Sequence, residues 1–395
     1  MFTRILTRPL KSRKSFFLFG PRGTGKTTWL TQHSPGALFI NLLQSEFYNR
    51  LNADPGHIRA LIPPRHSGWI VIDEVQRVPE LLNEVHDLIE SEQRRFILTG
   101  SSARKLRRNG VNLLAGRALT YHMYPLTAGE QGDAFRIGDS VRFGHLPARF
   151  SEDDPDRYLK DYVQTYLREE VMQEGLTRNI GVFSRFLEVA SFSQGSVLNV
   201  SSVAREAHIE RSVAENYFSI LEDLLIAVRL PIFSKRARRE LIVHNKFFYF
   251  DAGVFRAIRP AGPLDSPAEA DGAALETLIL QELRAVNDYG EHGYQIFFWR
   301  TKNGLEVDFV LYGPKGLLAI EVKRSATLHS RDLRALNEFR KDYPAAICYV
   351  FHGGVAPQYI EDITVIPVEQ ALPDLQRILA NPPRTARDLE SRKRR

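Results

Sequence analysis

The sequence predicts an α/β protein that opens with a P-loop type parallel sheet, passes through a helical region and closes with a second α/β domain. Three observations predict this. Over residues 1–130 short apolar runs alternate with helical patterns, and a glycine-rich loop follows the first run directly. From about residue 150 helical periodicity takes over. Beyond residue 270 the apolar runs return, and two of them carry acids.

The elements follow in order. Residues 15–19 are short and wholly apolar after the serine, which suits a buried strand. The loop Gly20-Pro-Arg-Gly-Thr-Gly-Lys-Thr27 comes next, and then a helix from about Gly25. Residues 37–42, 69–72 and 95–99 read as further strands, with a helix over 80–91. This rhythm implies a parallel sheet covered on both faces. Over 156–174, Tyr158, Leu159, Tyr162, Val163, Tyr166 and Leu167 fall on one helical face. Residues 183–192 form another amphipathic helix, and 201–225 read as two helices around a turn at 208–211. Strands are expected at 228–233 and 246–250, with a basic run at 235–239 between them. Helix, turn, helix and two strands make a winged-helix outline. Residues 260–270 are rich in Pro, Gly and small side chains and mark the expected internal boundary. A helix over 272–289 and strands at 295–299, 305–311, 317–322 and 346–351 complete the reading. The expected domains are thus 1–130, 131–259 and 270–370, with a frayed basic tail at 381–395.

Composition narrows the function classes. The 395 residues are 43% hydrophobic and 25% charged, enough for domains with real cores. A net charge of +6 permits a nucleic-acid partner without demanding one. The single cysteine, Cys348, excludes an internal disulfide and any Cys/His metal framework, and fits a reducing cytoplasm. The apolar run at 16–19 is too short for a signal segment, and no run of 18 apolar residues exists, so no membrane partner is expected.

The glycine loop carries the first chemistry. Gly20, Gly23 and Gly25 relieve steric limits where backbone N–H groups must turn inward around phosphate, and Pro21, Arg22, Thr24 and Thr28 fill out the segment. Lys26 would reach the β- and γ-phosphates of ATP, and Thr27 would place its hydroxyl on Mg²⁺. The helix starting here points its positive end at the same phosphates. Arg22 meets either phosphate or solvent. Asp73, at the end of the third apolar run, can hold the Mg²⁺ shell, and Glu74 beside it can orient the attacking water or take its proton. The next strand ends in Thr99-Gly-Ser101, where either hydroxyl could sense the γ-phosphate; Ser101 is favoured, and a plain helix cap is the competing reading.

These residues resemble the AAA+ ATPases. The resemblance rests on GPRGTGKT, on IVIDE at 70–74 and on FILTGSS at 96–102. The segment 114–126, with Gly116-Arg117 and then Pro125, Leu126 and Glu130, is similar to a bacterial and archaeal subfamily in which a domain of unknown function follows the P-loop domain. The likeness runs over nearly the whole chain. It implies Mg-dependent ATP hydrolysis, with Lys26 and Glu74 in catalytic roles. It makes Arg117 a candidate arginine finger, acting within the chain or from a neighbouring subunit, against a surface salt bridge as the alternative. An oligomer is permitted. In the winged-helix region Arg205, Arg211 and the 235–239 run could meet DNA phosphates, but such modules also bind protein partners.

The last domain carries a second constellation. Asp308 and Glu321 stand on successive strands, and Lys323 alternates onto the same face as Glu321. Two carboxylates can hold Mg²⁺, and an adjacent lysine can orient a water for phosphodiester attack. Glu276, on the preceding helix, could complete the metal shell. Together these four resemble the PD-(D/E)xK nuclease fold in its Holliday-junction-resolvase-like branch, over about 270–365. Val307 stands where that pattern usually has proline. Two outcomes stay open: nucleic-acid cleavage coupled to ATP, or a C-terminal domain that only binds a protein or DNA partner.

Overall fold

The computed structural model describes residues 2–102, 106, 114–167, 179–235, 241–242, 244–263 and 265–382. Its first sheet has five strands, β1 (Ser15–Phe19), β2 (Leu38–Asn41), β3 (Trp69–Asp73), β4 (Arg95–Gly100) and β5 (Ala118–His122), in the order β2-β3-β4-β1-β5 and parallel throughout. A parallel sheet needs crossovers on its faces, and the helices Lys26–His33 and Leu81–Glu92 supply two of them. One face packs Phe17, Ile70, Ile72, Leu82 and Leu98; the other packs Phe16, Leu18, Trp29, Val71 and Ile97. Residues of β1, β3 and β4 therefore alternate between two cores, which is why their sequence reads as unbroken apolar runs.

The middle region is mostly helical. Helix Ile180–Ser191 precedes, and helices Val200–Ala207 and Arg211–Asp223 follow, the first strand of a small antiparallel sheet formed by β6 (Ser196–Val197), β7 (Ala227–Leu230) and β8 (Lys246–Tyr249), in the order β6-β8-β7. His208 takes a left-handed backbone between the last two helices, at the turn the sequence marks. Of the helix expected over 156–174, Pro155–Asp161 is α-helical and Tyr162–Leu167 winds as a π-helix. Residues 168–178, most of the 235–239 run and 383–395 of the tail lie outside the described residues.

The last sheet is mixed. β9 (Gln295–Arg300), β10 (Glu306–Gly313), β11 (Gly316–Lys323), β12 (Ala346–His352), β13 (Gln358–Ile360) and β14 (Ile363–Pro367) lie in the order β13-β14-β12-β11-β10-β9. β10 and β11 form an antiparallel pair with Phe309 opposite Ile320, while β11, β12 and β14 run parallel. The helix Pro267–Tyr289 covers one face, and one continuous core joins that face to the middle region through Phe248, Leu278, Phe309 and Ile320. The opposite face packs on Leu336 and Phe339. Two isolated bridges, Ile232 to Phe298 and Leu241 to Thr301, tie the middle region to β9.

Candidate functional site

The carboxyl ends of β1, β3 and β4 converge, and the first site is built there. At the end of β1, Gly20 N–H donates to Gly100 C=O at 3.2 Å, and a Cβ on Gly20 would collide with the Met123 carbonyl. Only glycine lets the three segments close in. Gly23 (φ +82°) and Gly25 (φ +88°) take the left-handed region that turns successive N–H groups inward. Gly25 caps the helix Lys26–His33. The buried Lys26 ammonium donates to the carbonyls of Gly20 at 2.7 Å and Pro21 at 3.2 Å, and Thr24 Oγ1 donates to Pro21 C=O at 2.8 Å.

Asp73, the last residue of β3, receives two hydroxyls. Thr27 Oγ1 donates to its Oδ2 at 2.9 Å, and Thr99 Oγ1 donates to its Oδ1. Glu74 follows with φ +61°, a left-handed turn that is costly for a non-glycine residue, and its N–H donates to Thr99 Oγ1 at 3.3 Å. Its carboxylate accepts from Gln76 Nε2 at 2.5 Å, and the same amide reaches Ser101 Oγ at 3.1 Å. Gln76 was not among the residues the sequence singles out. Its only signal is its place two residues past an acid at a strand end.

A cavity of about 710 Å³ opens over these groups. Its polar end is lined by the segment from Arg22 to Thr28 with Asp73 and Glu74; Phe2, Leu126, Pro147 and Phe150 line an apolar end. Phe2 and Phe150 meet edge to face at 4.7 Å. The middle region forms part of the wall through Pro147 and Phe150, and it also braces the loop: Tyr162 Oη donates to Arg22 C=O at 2.8 Å and its ring packs beside Gly23. Ser101 does not line the cavity; it is buried and bonded to Gln76, and Thr99 is the strand-end hydroxyl that touches Asp73. Arg117 is not brought to the cavity either, and pairs with Glu90 on the surface.

Residues 12–131 match the model of an AAA domain. The AAA domain thus spans all five strands of the first sheet and both strand-end acids. Residues 139–265 and 271–371 match two domains of unknown function, DUF8612 and DUF4143. The chain is 27% identical over 384 residues to an uncharacterized protein of Mycobacterium tuberculosis, spanning 93% of this chain and 83% of the relative. An uncharacterized protein of Haemophilus influenzae is 23% identical over 341 residues, 77% of this chain and 80% of the relative. Among solved structures, the Aeropyrum pernix ORC1 protein in complex with DNA aligns with 69% of this chain and 91% of its own at 14% identity, with a TM-score of 0.26. Protein VC1899 from Vibrio cholerae aligns with 92% and 97% at 11% identity, with a TM-score of 0.24. At such scores the topology of this chain stands on its own strand order.

The second constellation also comes together, with two additions. Asp308 Oδ2 accepts from Val322 N–H at 2.8 Å, and Lys323 Nζ lies 2.7 Å from Glu321 Oε1. Glu276 reaches in from the helix Pro267–Tyr289. Glu306, on β10, and Lys246, the first residue of β8, were missed by the sequence reading. Lys246 Nζ contacts Glu306 Oε1 and lies 3.4 Å from Glu276 Oε2 and 3.6 Å from Asp308 Oδ1. Burial pushes the Glu276 carboxyl up to about 8, with the nearby Asp308 charge adding to the rise and Lys246 opposing it. Burial likewise raises Glu321 well above the usual carboxylate range, with Asp308 adding to the rise and Lys323 opposing it. Among the described residues no group of three or more His, Cys, Asp or Glu side chains is disposed to hold a metal ion, and no helix is long and apolar enough to cross a membrane.

Proposed function

We propose that the chain binds ATP with Mg²⁺ in the cavity of its AAA domain and hydrolyses it, and that the state of that site governs the C-terminal half. The observation that carries this reading is the Thr27 hydroxyl on the Asp73 carboxylate, 2.9 Å apart, beside Lys26 at a helix N-terminus. A hydroxyl and one carboxylate suit Mg²⁺, which keeps several waters and takes its remaining oxygens from phosphate. Bound there, the ion would neutralise charge on the β- and γ-phosphate oxygens. The chain does the rest. Backbone N–H groups of Gly23, Gly25, Lys26, Thr27 and Thr28 hold the phosphates, and Lys26 turns its ammonium from the loop carbonyls to them. Glu74, held by Gln76, orients the water and accepts its proton. Phe2, Leu126, Pro147 and Phe150 suit the flat apolar faces of a base. Thr99, or Ser101 through Gln76, reads the γ-phosphate side, and Arg117 would act as a finger only from a neighbouring subunit. The test is phosphate release with Mg²⁺ and ATP. We expect turnover by the native chain and its loss in Lys26→Ala; equal rates in the two would end the proposal.

For the C-terminal half, the convergence of Glu276, Asp308, Glu321 and Lys323 supports a PD-(D/E)xK-like centre acting on nucleic acid. A second reading, partner binding without cleavage, is favoured by Lys246, whose ammonium lies among three of the cluster's acids. In the winged-helix region, Glu215 and Glu222 on the helix Arg211–Asp223 are bound by Arg229. Acids on that helix suit a protein partner better than a phosphate backbone. A panel of branched and linear DNA with Mg²⁺ or Mn²⁺, with and without ATP, separates the two. Cleavage abolished by Asp308→Ala would remove the second reading.

A further inference from the structure

A divalent cation and the Lys246 ammonium compete for one position. Mg²⁺ needs near-octahedral oxygens at about 2.0–2.1 Å. At the acid cluster that space holds a nitrogen in contact with Glu306 and 3.4 and 3.6 Å from Glu276 and Asp308. The lysine is not a visiting surface chain. Its side chain is 1% exposed, and its Nζ lies over the Phe298 ring, 5.7 Å from the centroid. Its backbone sits mid-sheet, paired with Val197 of β6 on one side and Leu230 of β7 on the other. The next residues, Phe247 and Phe248, are fully buried in the core shared with the C-terminal domain. The sheet and the core thus fix the backbone of Lys246, and its buried side chain directs Nζ at the acids.

The remaining charges are also served from within the chain. Arg300 Nη1 holds Glu306 Oε2 at 3.0 Å, Lys323 holds Glu321, and Val322 N–H holds Asp308. Three cations face four carboxylates, and the residues match the metal-dependent pattern while the geometry does not fit the metal.

We propose that this acid cluster takes the Lys246 ammonium as its built-in cation, so that it is a buried ionic joint locking the small middle sheet onto β10, not a divalent-metal centre. This deepens the second reading above and rests on it. The joint explains why β8 begins with a lysine at a position no water reaches: an unpaired ammonium there would be driven out, and four carboxylates without one would repel.

The test is a Mn²⁺ titration of the full chain without nucleotide, followed by electron paramagnetic resonance. All proteins carry Asp73→Asn, to remove the other acid–hydroxyl pair. With Lys246 present we expect no Mn²⁺ site that depends on Asp308. Lys246→Ala should open one, at least about tenfold tighter than any in its parent, and Asp308→Ala added to it should close it again. Lys246→Arg, which keeps the charge, should fold and stay metal-free. If Lys246→Ala does not fold, the parent decides alone, because Mn²⁺ binding by the parent that Asp308→Ala abolishes overturns the joint. DNA cleavage without any metal would sink the second reading while the parent stays metal-free; Asp308-dependent Mn²⁺ binding without cleavage would sink the joint alone.

Discussion

Gln76 offers the sharpest test of whether Glu74 is the acid that orients the attacking water. Its side-chain amide donates to Glu74 Oε2 at 2.5 Å and to Ser101 Oγ at 3.1 Å, while its Oε1 faces Gly100, where a Cβ would collide with it. The amide cannot be turned over, because its oxygen would then face the Glu74 carboxylate. Gln76→Leu keeps the volume and removes the donor. A hydrogen bond to a charged acceptor is worth about 1.5–3 kcal/mol, and Glu74 is half-buried, so the lower part of that range applies. About 1.5–2 kcal/mol of lost positioning in the transition state lowers kcat about 10–30-fold. The bond touches neither the phosphate loop nor Asp73, so ATP affinity should stay within about twofold of the native chain. Steady-state phosphate release and titration with a fluorescent ATP analogue measure the two quantities. A kcat within twofold of native would show that Gln76 does not position Glu74. A matching loss of affinity would show that it supports the pocket instead.

Two further outcomes follow from buried groups. Gly144 (φ +62°) abuts the fully buried Asp251, whose carboxylate accepts from the N–H groups of His145 at 2.7 Å, Gly253 at 2.9 Å and Val254 at 3.0 Å. Gly144→Ala puts a Cβ in a backbone conformation almost confined to glycine, costing about 1–3 kcal/mol, and displaces at least one of those bonds at about 1–3 kcal/mol, so the urea midpoint should fall by the equivalent of about 2–6 kcal/mol; a loss under about 1 kcal/mol would refute the packing. Burial pushes the Cys348 thiol up to about 11 from its ordinary 9, so the stability it contributes is complete below pH 9 and fades as pH rises through 11, by about 2–3 kcal/mol in all. At pH 8 a thiol reagent should therefore label this sole cysteine only as the chain unfolds; rapid labelling of the native protein would contradict its burial.

The sequence displays what depends on local runs and hides what depends on approach. β1, β3 and β4 are legible because both their faces are buried and glycine or acid stops them at the site. β5 is a sheet edge with Leu119 exposed, so it lacks that signature and is reached only through family resemblance. β13 and β14 were not foreseen: β13 is three residues of half-exposed edge, and β14 takes its place through pairing with β12. The phosphate loop is local in sequence, so its residues could be assigned in advance. Gln76 and Lys246 could not, because the first matters through a carboxylate held in a left-handed turn and the second through a sheet packed against a domain that follows it in the chain. A lysine opening a predicted strand beside a basic run looks like a solvated charge until the fold buries it.

The helix Pro267–Tyr289 gives the two sites a common mechanical element. Near its end, Tyr289 Oη accepts from Tyr124 N–H at 2.9 Å and from Arg4 Nη2 at 3.0 Å, and Arg4 lines the cavity over the glycine loop. Glu282 accepts from Ala128 N–H at 2.8 Å, and Glu276 meets Lys246. Thirteen residues separate Glu276 from Tyr289, about 20 Å of helix at 1.5 Å per residue. Tyr162, whose hydroxyl holds the phosphate loop, lies in the same core as this helix. A shift of the loop on phosphate binding would therefore act on one rigid rod at its Tyr289 end and through the core along its length. The ionic joint at Glu276 would hold the rod near its middle, so its motion would carry the small middle sheet and β10 together. The small middle sheet and β10 would then move as one unit in any response to nucleotide.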